Sequence, residues 1–137
     1  MATKIAGLVA YPSSPEDISM TIVRAIEKLH KQESFGYELK TWEENDIPGR
    51  FINSEILARI KEGNILIADI TRLNFNVVFE IGYAIGQGKR LFLIQNSAYR
   101  QINDFVREVG IFDTLGYKKY SDSNMLASYI SAIQDLT

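Results

Sequence analysis

The chain alternates between short apolar runs and longer segments whose apolar residues recur at helical spacing. Five short runs have the composition of strands: Lys4–Ala10, Tyr37–Trp42, Ile65–Ala68, Leu91–Ile94 and Tyr117–Tyr120. The third and fourth runs are apolar at every position, which is typical of central parallel strands that are covered on both faces. The pattern therefore predicts a sheet of five strands.

Five segments with helical spacing separate or follow these strands. Helices are predicted to begin near Ile18 and Arg50, and to span Asn76–Gln87, Ile102–Val109 and Asp122–Leu136. Strands that alternate with helices form parallel sheets through right-handed crossovers. The chain is therefore predicted to be one α/β domain over residues 1–137, a three-layer, flavodoxin-like, doubly wound parallel five-stranded sheet in the order 2-1-3-4-5.

This architecture indicates where a ligand binds. Open parallel sheets hold ligands beyond the carboxyl ends of their strands, near the point where the strand order reverses, here between strands one and three. The segments predicted to lie there are Tyr11–Ser14, Trp42–Arg50, Asp69–Glu80 and the region of Asn96. Candidate functional residues are therefore sought in these segments.

Composition narrows the chemistry. Fifteen Lys and Arg against seventeen Asp and Glu give a net charge of -2, so no global positive field favours nucleic acid or an anionic membrane. The absence of cysteine excludes disulfides and thiolate metal sites, and the lone histidine, His30, fits a surface helix cap better than catalysis. No metal site or cofactor is expected. No apolar run approaches the ~20 residues of a membrane span, and the N-terminus lacks a signal-peptide pattern, so a cytoplasmic protein is expected.

The stretch Asp69–Ala84 is the most informative segment. A strand ends in Asp69, a polar loop contains Asn-x-Asn-Val, and a helix then carries Glu-Ile-Gly-Tyr-Ala from Glu80. Together with the Gly88–Ile94 turn and strand, this pattern resembles the nucleoside 2-deoxyribosyltransferase family and the related TIR-like N-glycosidase domains. The resemblance implies that Glu80 is the catalytic carboxylate, that Asp69 is the acid at the strand end, and that Tyr11 lies near the tyrosine that orients the glutamate.

One departure from the family pattern bears on the sugar. Six residues before the glutamate the transferases carry an Asp that helps to hold the sugar, whereas this chain has Asn74. The resemblance therefore implies cleavage or transfer at an N-glycosidic bond, and it does not imply strict deoxyribosyl transfer.

Glu80 can also be argued from its chemistry. Breaking an N-glycosidic bond passes through an oxocarbenium-like sugar, which a carboxylate stabilises or captures as a covalent ester. On the helical wheel Glu80 lies at the margin of the stripe formed by Val77, Ile81 and Ala84, so partial burial is expected. The alternative is a solvated glutamate near a helix N-terminus, where the macrodipole favours negative charge.

The remaining candidates each have a structural alternative. Asp69 either binds sugar hydroxyls or caps the turn that follows its strand. Asn74 and Asn76 either begin the third helix as caps or contact the ligand, and Asn96 ends the fourth strand at the same edge.

Four further residues could contact a nucleotide. Ser13 and Ser14 precede the first helix, where free N–H groups favour a phosphate, or they simply cap that helix. Arg50 offers a second anion site or pairs with a nearby acidic residue, and Trp42 either stacks on a base or belongs to the core.

The predicted function is cleavage or transfer at the N-glycosidic bond of a nucleoside, a nucleotide or NAD. Nicotinamide leaves NAD as a neutral base and needs no general acid, so NAD hydrolysis is included. A module that senses a nucleotide without cleaving it, or an effector domain of a bacterial defence protein, is the alternative. A homo-oligomer is expected from the resemblance, and direct nucleic-acid binding is not.

Overall fold

The computed structural model describes residues 5–12, 15–32, 35–44, 54–72, 75–99 and 116–133. Within these ranges the chain forms five strands, β1 (Ile5–Pro12), β2 (Tyr37–Glu44), β3 (Ile65–Asp69), β4 (Arg90–Asn96) and β5 (Lys118–Tyr120). The same ranges contain four helices, α1 (Glu16–His30), α2 (Ser54–Glu62), α3 (Phe75–Gly86) and α4 (Ser123–Ser131). The predicted helix Ile102–Val109 lies outside the described residues.

The five strands form one parallel sheet in the order β2-β1-β3-β4-β5, which confirms the predicted fold class. Ala10 of β1 lies between Trp42 of β2 and Ala68 of β3, and Asp69 pairs with Ile94 of β4. Because all strands run in the same direction, their carboxyl ends meet at one edge of the sheet. We call this edge, formed by the ends of β1 to β5, the carboxyl edge.

Alternating side chains of the strands build two cores. Val9, Ile67 and Ile94 pack on one face with α1 and α4, whereas Leu8, Leu66 and Leu93 pack on the other face with α2 and α3. Successive strand residues point to opposite faces, so a central strand that is covered on both faces must be apolar throughout. We refer to the second face as the α3 face.

The strands reach further toward the carboxyl edge than the apolar runs predict. β1 continues past Ala10 to Pro12 and β2 continues to Glu44, whereas β4 ends at Asn96 as predicted. The backbone ladder does not require apolar side chains, so it extends into the polar residues at this edge. Several predicted site residues therefore lie on strands rather than on loops.

The last helix is shorter than predicted. Asp122 is its N-cap and its carboxylate accepts a 2.8 Å hydrogen bond from Met125 N, which agrees with the predicted start. The predicted end at Leu136 is wrong, because α4 ends at Ser131, where Ile133 N bonds to Ile130 O in a tightened final turn.

Gly88 closes α3 as predicted. It adopts φ +70°, a left-handed conformation that side chains with a Cβ rarely take, and Lys89 N bonds back to Ala84 O. This turn sends the chain directly into β4 beside β3.

His30 has a role that the sequence did not indicate. Its Nε2 accepts a 3.2 Å hydrogen bond from the backbone N of Leu39 on the edge strand β2. The imidazole therefore covers part of the open edge of the sheet instead of capping α1, and this limits pairing with another strand.

The longest described helix, α1, has 15 residues. None of the helices in the described ranges is both long and apolar enough to cross a membrane.

Candidate active site

Polar side chains are buried where the strands end. Tyr11, Asp69, Thr71 and Asn96 are buried at or just beyond the carboxyl edge, and Glu80 is buried in the second turn of α3, the helix that follows β3. Buried polar groups cost free energy unless they are hydrogen bonded, and proteins concentrate them at functional sites. The structure thus places its buried polar residues where the fold predicts a ligand.

Glu80 is completely buried, with 0% of its surface exposed. It lies inside the inward stripe of α3 formed by Val77, Ile81 and Ala84, and not at its margin. The alternative of a solvated glutamate favoured by the helix dipole is therefore wrong.

The rest of α3 makes this burial unusual. Glu80 is the single charged residue in the helix sequence, yet it points inward while Phe79 and Ile85 are 50% and 41% exposed. Hydrophobicity alone would place Phe79 inside and the carboxylate outside. The helix therefore buries a carboxylate together with Val77, Ile81 and Ala84 while it leaves Phe79 half exposed.

Asp69 lies on the face of the sheet that packs against α1 and α4, opposite the α3 face. Two hydrogen bonds hold its carboxylate there. Its Oδ1 accepts a 2.8 Å bond from Thr71 N, and the hydroxyl of Tyr120 donates a 2.5 Å bond to Oδ2. The first bond caps the turn that follows β3, as the structural alternative for Asp69 predicted. Asp69 is 0% exposed and both of its carboxylate oxygens are hydrogen bonded within the protein.

Thr71 and Asn96 continue this network along the edge. The Thr71 hydroxyl oxygen accepts a 2.8 Å bond from Asn96 N, which ties the end of β3 to the end of β4. The carboxamide oxygen of Asn96 accepts a 2.9 Å bond from Ala98 N and so shapes the turn after β4. The network fixes the relative positions of three strand ends.

Burial raises the pKa of Asp69 from 3.8 to about 6, against the opposing effect of hydrogen bonds from Tyr120 and Thr71. Burial of Tyr120, together with the neighbouring Asp69 carboxylate, raises the pKa of the Tyr120 hydroxyl far above its usual value. Tyr120 therefore remains the proton donor of the pair.

The raised pKa predicts a pH dependence of stability. Asp69 binds its proton more tightly in the folded protein than in the unfolded chain, so protonation stabilises the folded state. This stabilisation is fully present below the unfolded pKa of 3.8 and is lost as the pH rises through the folded pKa of about 6. The decline amounts to about 3 kcal/mol for a shift of this size. Urea denaturation of the wild type and of Asp69→Asn at pH 4, 5 and 6.5 should show the free-energy difference changing by about 2 kcal/mol across this range. Parallel pH profiles would contradict the assignment.

Other predicted site residues are distributed as follows. Ser13, Ser14, Arg50 and Asn74 lie outside the described residues. The N-cap of α1 is Pro15, and both roles given for Ser13 and Ser14 stay predictions.

The structure describes the positions of two further predicted site residues. Trp42 lies within β2 and pairs with Ala10. Asn76 is the second residue of α3 and is half-buried, so it lies inside the helix and is not its N-cap.

A surface cluster that the sequence did not predict also lies at the carboxyl edge. The Tyr99 hydroxyl bonds to both carboxylate oxygens of Asp17 at 2.7 and 2.8 Å, and the Arg72 guanidinium lies 5.2 Å from the Tyr99 ring centre. Partial burial and Asp17 raise the pKa of Tyr99. These contacts connect the start of α1 to the segments that follow β3 and β4.

A groove of about 420 Å³ lies elsewhere, along the middle of the edge strand β2. It is lined by Ile26 and His30 of α1, Leu39 and Lys40 of β2, and Arg59 of α2. None of the buried polar residues at the carboxyl edge lines it, so the groove is not the candidate active site. Among the described residues, no group of three His, Asp or Glu side chains is placed to hold a metal ion.

No protein-family model and no curated protein matches the chain. Its fold is similar to that of solved structures. The CMP N-glycosidase BcmB of Clostridium botulinum has a TM-score of 0.58 and 17% identity over 91% of this chain and 99% of its own. A conserved protein of Enterococcus faecalis has a TM-score of 0.55 and 13% identity over 93% of this chain and 98% of its own.

A pilus assembly-related protein of Burkholderia pseudomallei is also similar, with a TM-score of 0.51 and 11% identity. The similarity covers 100% of this chain and 97% of the Burkholderia protein. At these identities the similarity shows a shared fold, and a shared fold carries many functions. The function must therefore be argued from the residues at the carboxyl edge.

Proposed function

We propose that this chain cleaves, or transfers the sugar at, the N-glycosidic bond of a nucleoside, a nucleotide or NAD, with Glu80 as the catalytic carboxylate. The observation that carries the proposal is the burial of the one charged residue of α3 while its neighbour Phe79 is half exposed. Proteins accept such local conflicts chiefly where function requires them. The fold shared with a CMP N-glycosidase supports a nucleotide-type substrate.

The chemistry needs a negative charge at the anomeric carbon. As the bond to the base breaks, its electron pair leaves with the base and the sugar acquires oxocarbenium character. A Glu80 oxygen either stabilises this charge or forms an ester bond to the anomeric carbon. Water or a second base then attacks that carbon, the ester bond breaks, and the carboxylate is restored.

Burial strengthens this role. A carboxylate shielded from water interacts more strongly with a developing positive charge than a solvated one does. Because Glu80 is inaccessible in this structure, substrate binding requires neighbouring side chains to move and expose it. Closing the site again excludes water other than the acceptor molecule.

The network around Asp69 supports positioning rather than proton donation. Both of its oxygens are hydrogen bonded within the protein, so it is poorly placed to protonate a departing base. A base that leaves without protonation, as nicotinamide does from NAD, therefore fits the described residues well.

A panel assay tests the proposal. The pure protein is incubated with NAD, the common ribonucleotides and deoxynucleotides, and their nucleosides, and released bases are resolved by chromatography. We expect release of base from at least one of these compounds. Ligand binding without any base release would instead support the nucleotide-sensing alternative.

A further inference from the structure

Gln95 is a buried polar side chain that takes no part in the chemistry proposed for Glu80. Its residue is 3% exposed, and among the described residues its Oε1 has no hydrogen-bond donor. An acceptor that is buried without a donor destabilises the folded protein, and most such groups in native structures have a partner. A missing donor at a candidate active site is most simply supplied by a ligand.

The sheet geometry places Gln95 at the carboxyl edge. The last paired residue of β3, Asp69, lies opposite Ile94, so Gln95 is one residue beyond the end of that pairing. It pairs with Lys119 of β5 and is followed by the final residue of β4. Its backbone is therefore at the edge where parallel sheets bind ligands.

Strand alternation decides the face. Leu93, two residues before Gln95, packs with Val77 and Ile81 in the core beneath α3. Side chains two residues apart point to the same side of a strand, so Gln95 also belongs to the α3 face. Glu80 is buried on the inward side of the same helix. The carboxamide and the carboxylate thus belong to the same layer of the domain.

We infer that Gln95 is a specificity residue whose Oε1 accepts a hydrogen bond from the 2′-hydroxyl of a ribose-containing ligand. This inference rests on the proposed function, in which the anomeric carbon lies against Glu80. The carbon next to the anomeric carbon bears the 2′-hydroxyl, and a hydroxyl can donate to a carboxamide oxygen. A 2′-deoxy ligand lacks this donor and leaves the acceptor unpaired.

The expected consequence is selection for ribose. A site that hydrogen bonds a substrate hydroxyl disfavours the analogue that lacks it, here by roughly ten- to a hundredfold in affinity. The selectivity is assigned to a residue on β4, outside the helix that bears the carboxylate. It does not depend on which base is attached.

The test compares the wild type with Gln95→Met and Gln95→Leu, using NAD, CMP, AMP, UMP and GMP and their 2′-deoxy forms as probes. Dissociation constants are measured by calorimetry, and base release is followed where it occurs. We expect the wild type to prefer the ribose form of each ligand it binds, and both variants to lose most of that preference. Gln87→Leu, a change of an exposed glutamine after α3, should keep the wild-type ratio.

Each other outcome overturns the inference. If the role of Gln95 were purely structural, its substitution would weaken the binding of ribose and deoxyribose ligands equally. The ratio of their dissociation constants would then stay unchanged. A change of base preference without a change in the sugar ratio would place the contact on the base. A wild type that binds none of the probes, or both sugars equally, removes the inference without any variant.

Failure of the proposed function is distinguishable from failure of this inference. Ribose-selective binding that depends on Gln95, but without base release, would retain the specificity residue and reject the enzymatic proposal. Base release without sugar selectivity would retain the enzymatic proposal and reject Gln95 as the specificity residue.

Discussion

Glu80→Gln is expected to reduce base release by at least roughly a thousandfold, because a neutral carboxamide neither stabilises an oxocarbenium ion nor forms the ester intermediate. The side chain keeps nearly the same size within the stripe formed by Val77, Ile81 and Ala84. The loss should therefore appear in turnover with every substrate that the wild type cleaves. Steady-state rates measured by chromatography of the free base provide the measurement.

Glu62→Gln is the matched control, since Glu62 is exposed in the last turn of α2. It should retain the wild-type rate, and circular dichroism should show that both variants are folded. A Glu80→Gln protein that is folded and releases base at the wild-type rate would rule out this mechanism.

Tyr120→Phe is expected to produce the largest loss of stability at neutral pH, about 3 kcal/mol, because it removes the donor to a buried carboxylate. Tyr120 is 0% exposed, so water does not readily replace its hydroxyl beside Asp69. The loss should shrink at pH 4.5, where protonation of Asp69 in the variant removes the buried charge. Urea denaturation at the two pH values measures both quantities.

Tyr117→Phe provides the comparison, because Tyr117 is half-buried just before β5 and makes no described bond to Asp69. It should change stability by less than about 1 kcal/mol at either pH. If Tyr120→Phe cost the same at both pH values, the loss would be one of packing rather than of a hydrogen bond to an ionised Asp69.

The sheet and most helix starts follow from local patterns. The run Ile65–Ala68 is apolar because both of its faces are buried, and Gly88 ends α3 because it adopts a left-handed conformation. The ends of β1 and β2 were less predictable, since both strands continue past their apolar runs into residues that carry no apolar signal.

The site itself depends on contacts that are distant in sequence. Asp69 and Tyr120 are separated by 51 residues, and only the strand order brings their side chains together. The predicted topology places both strand ends at one edge, so Tyr120 could have been proposed from it. Its hydroxyl contact and the missing donor at Gln95 could not, because they depend on rotamers and burial.

Glu80 shows why the helical wheel predicted only part of its environment. Periodicity located it at the margin of the apolar stripe, whereas the structure buries it fully and exposes Phe79. A wheel treats each residue by its own hydrophobicity and cannot represent a helix that is turned to bury a carboxylate. The proposed function rests on this burial of Glu80 beside a half-exposed Phe79.

The most direct test is a crystal structure of Glu80→Gln soaked with a nucleotide that the wild type cleaves. The account predicts intact nucleotide at the carboxyl edge, with its anomeric carbon about 3.5 Å or less from the substituted side chain. A nucleotide bound instead in the groove beside β2, or with its sugar turned away from α3, would contradict it.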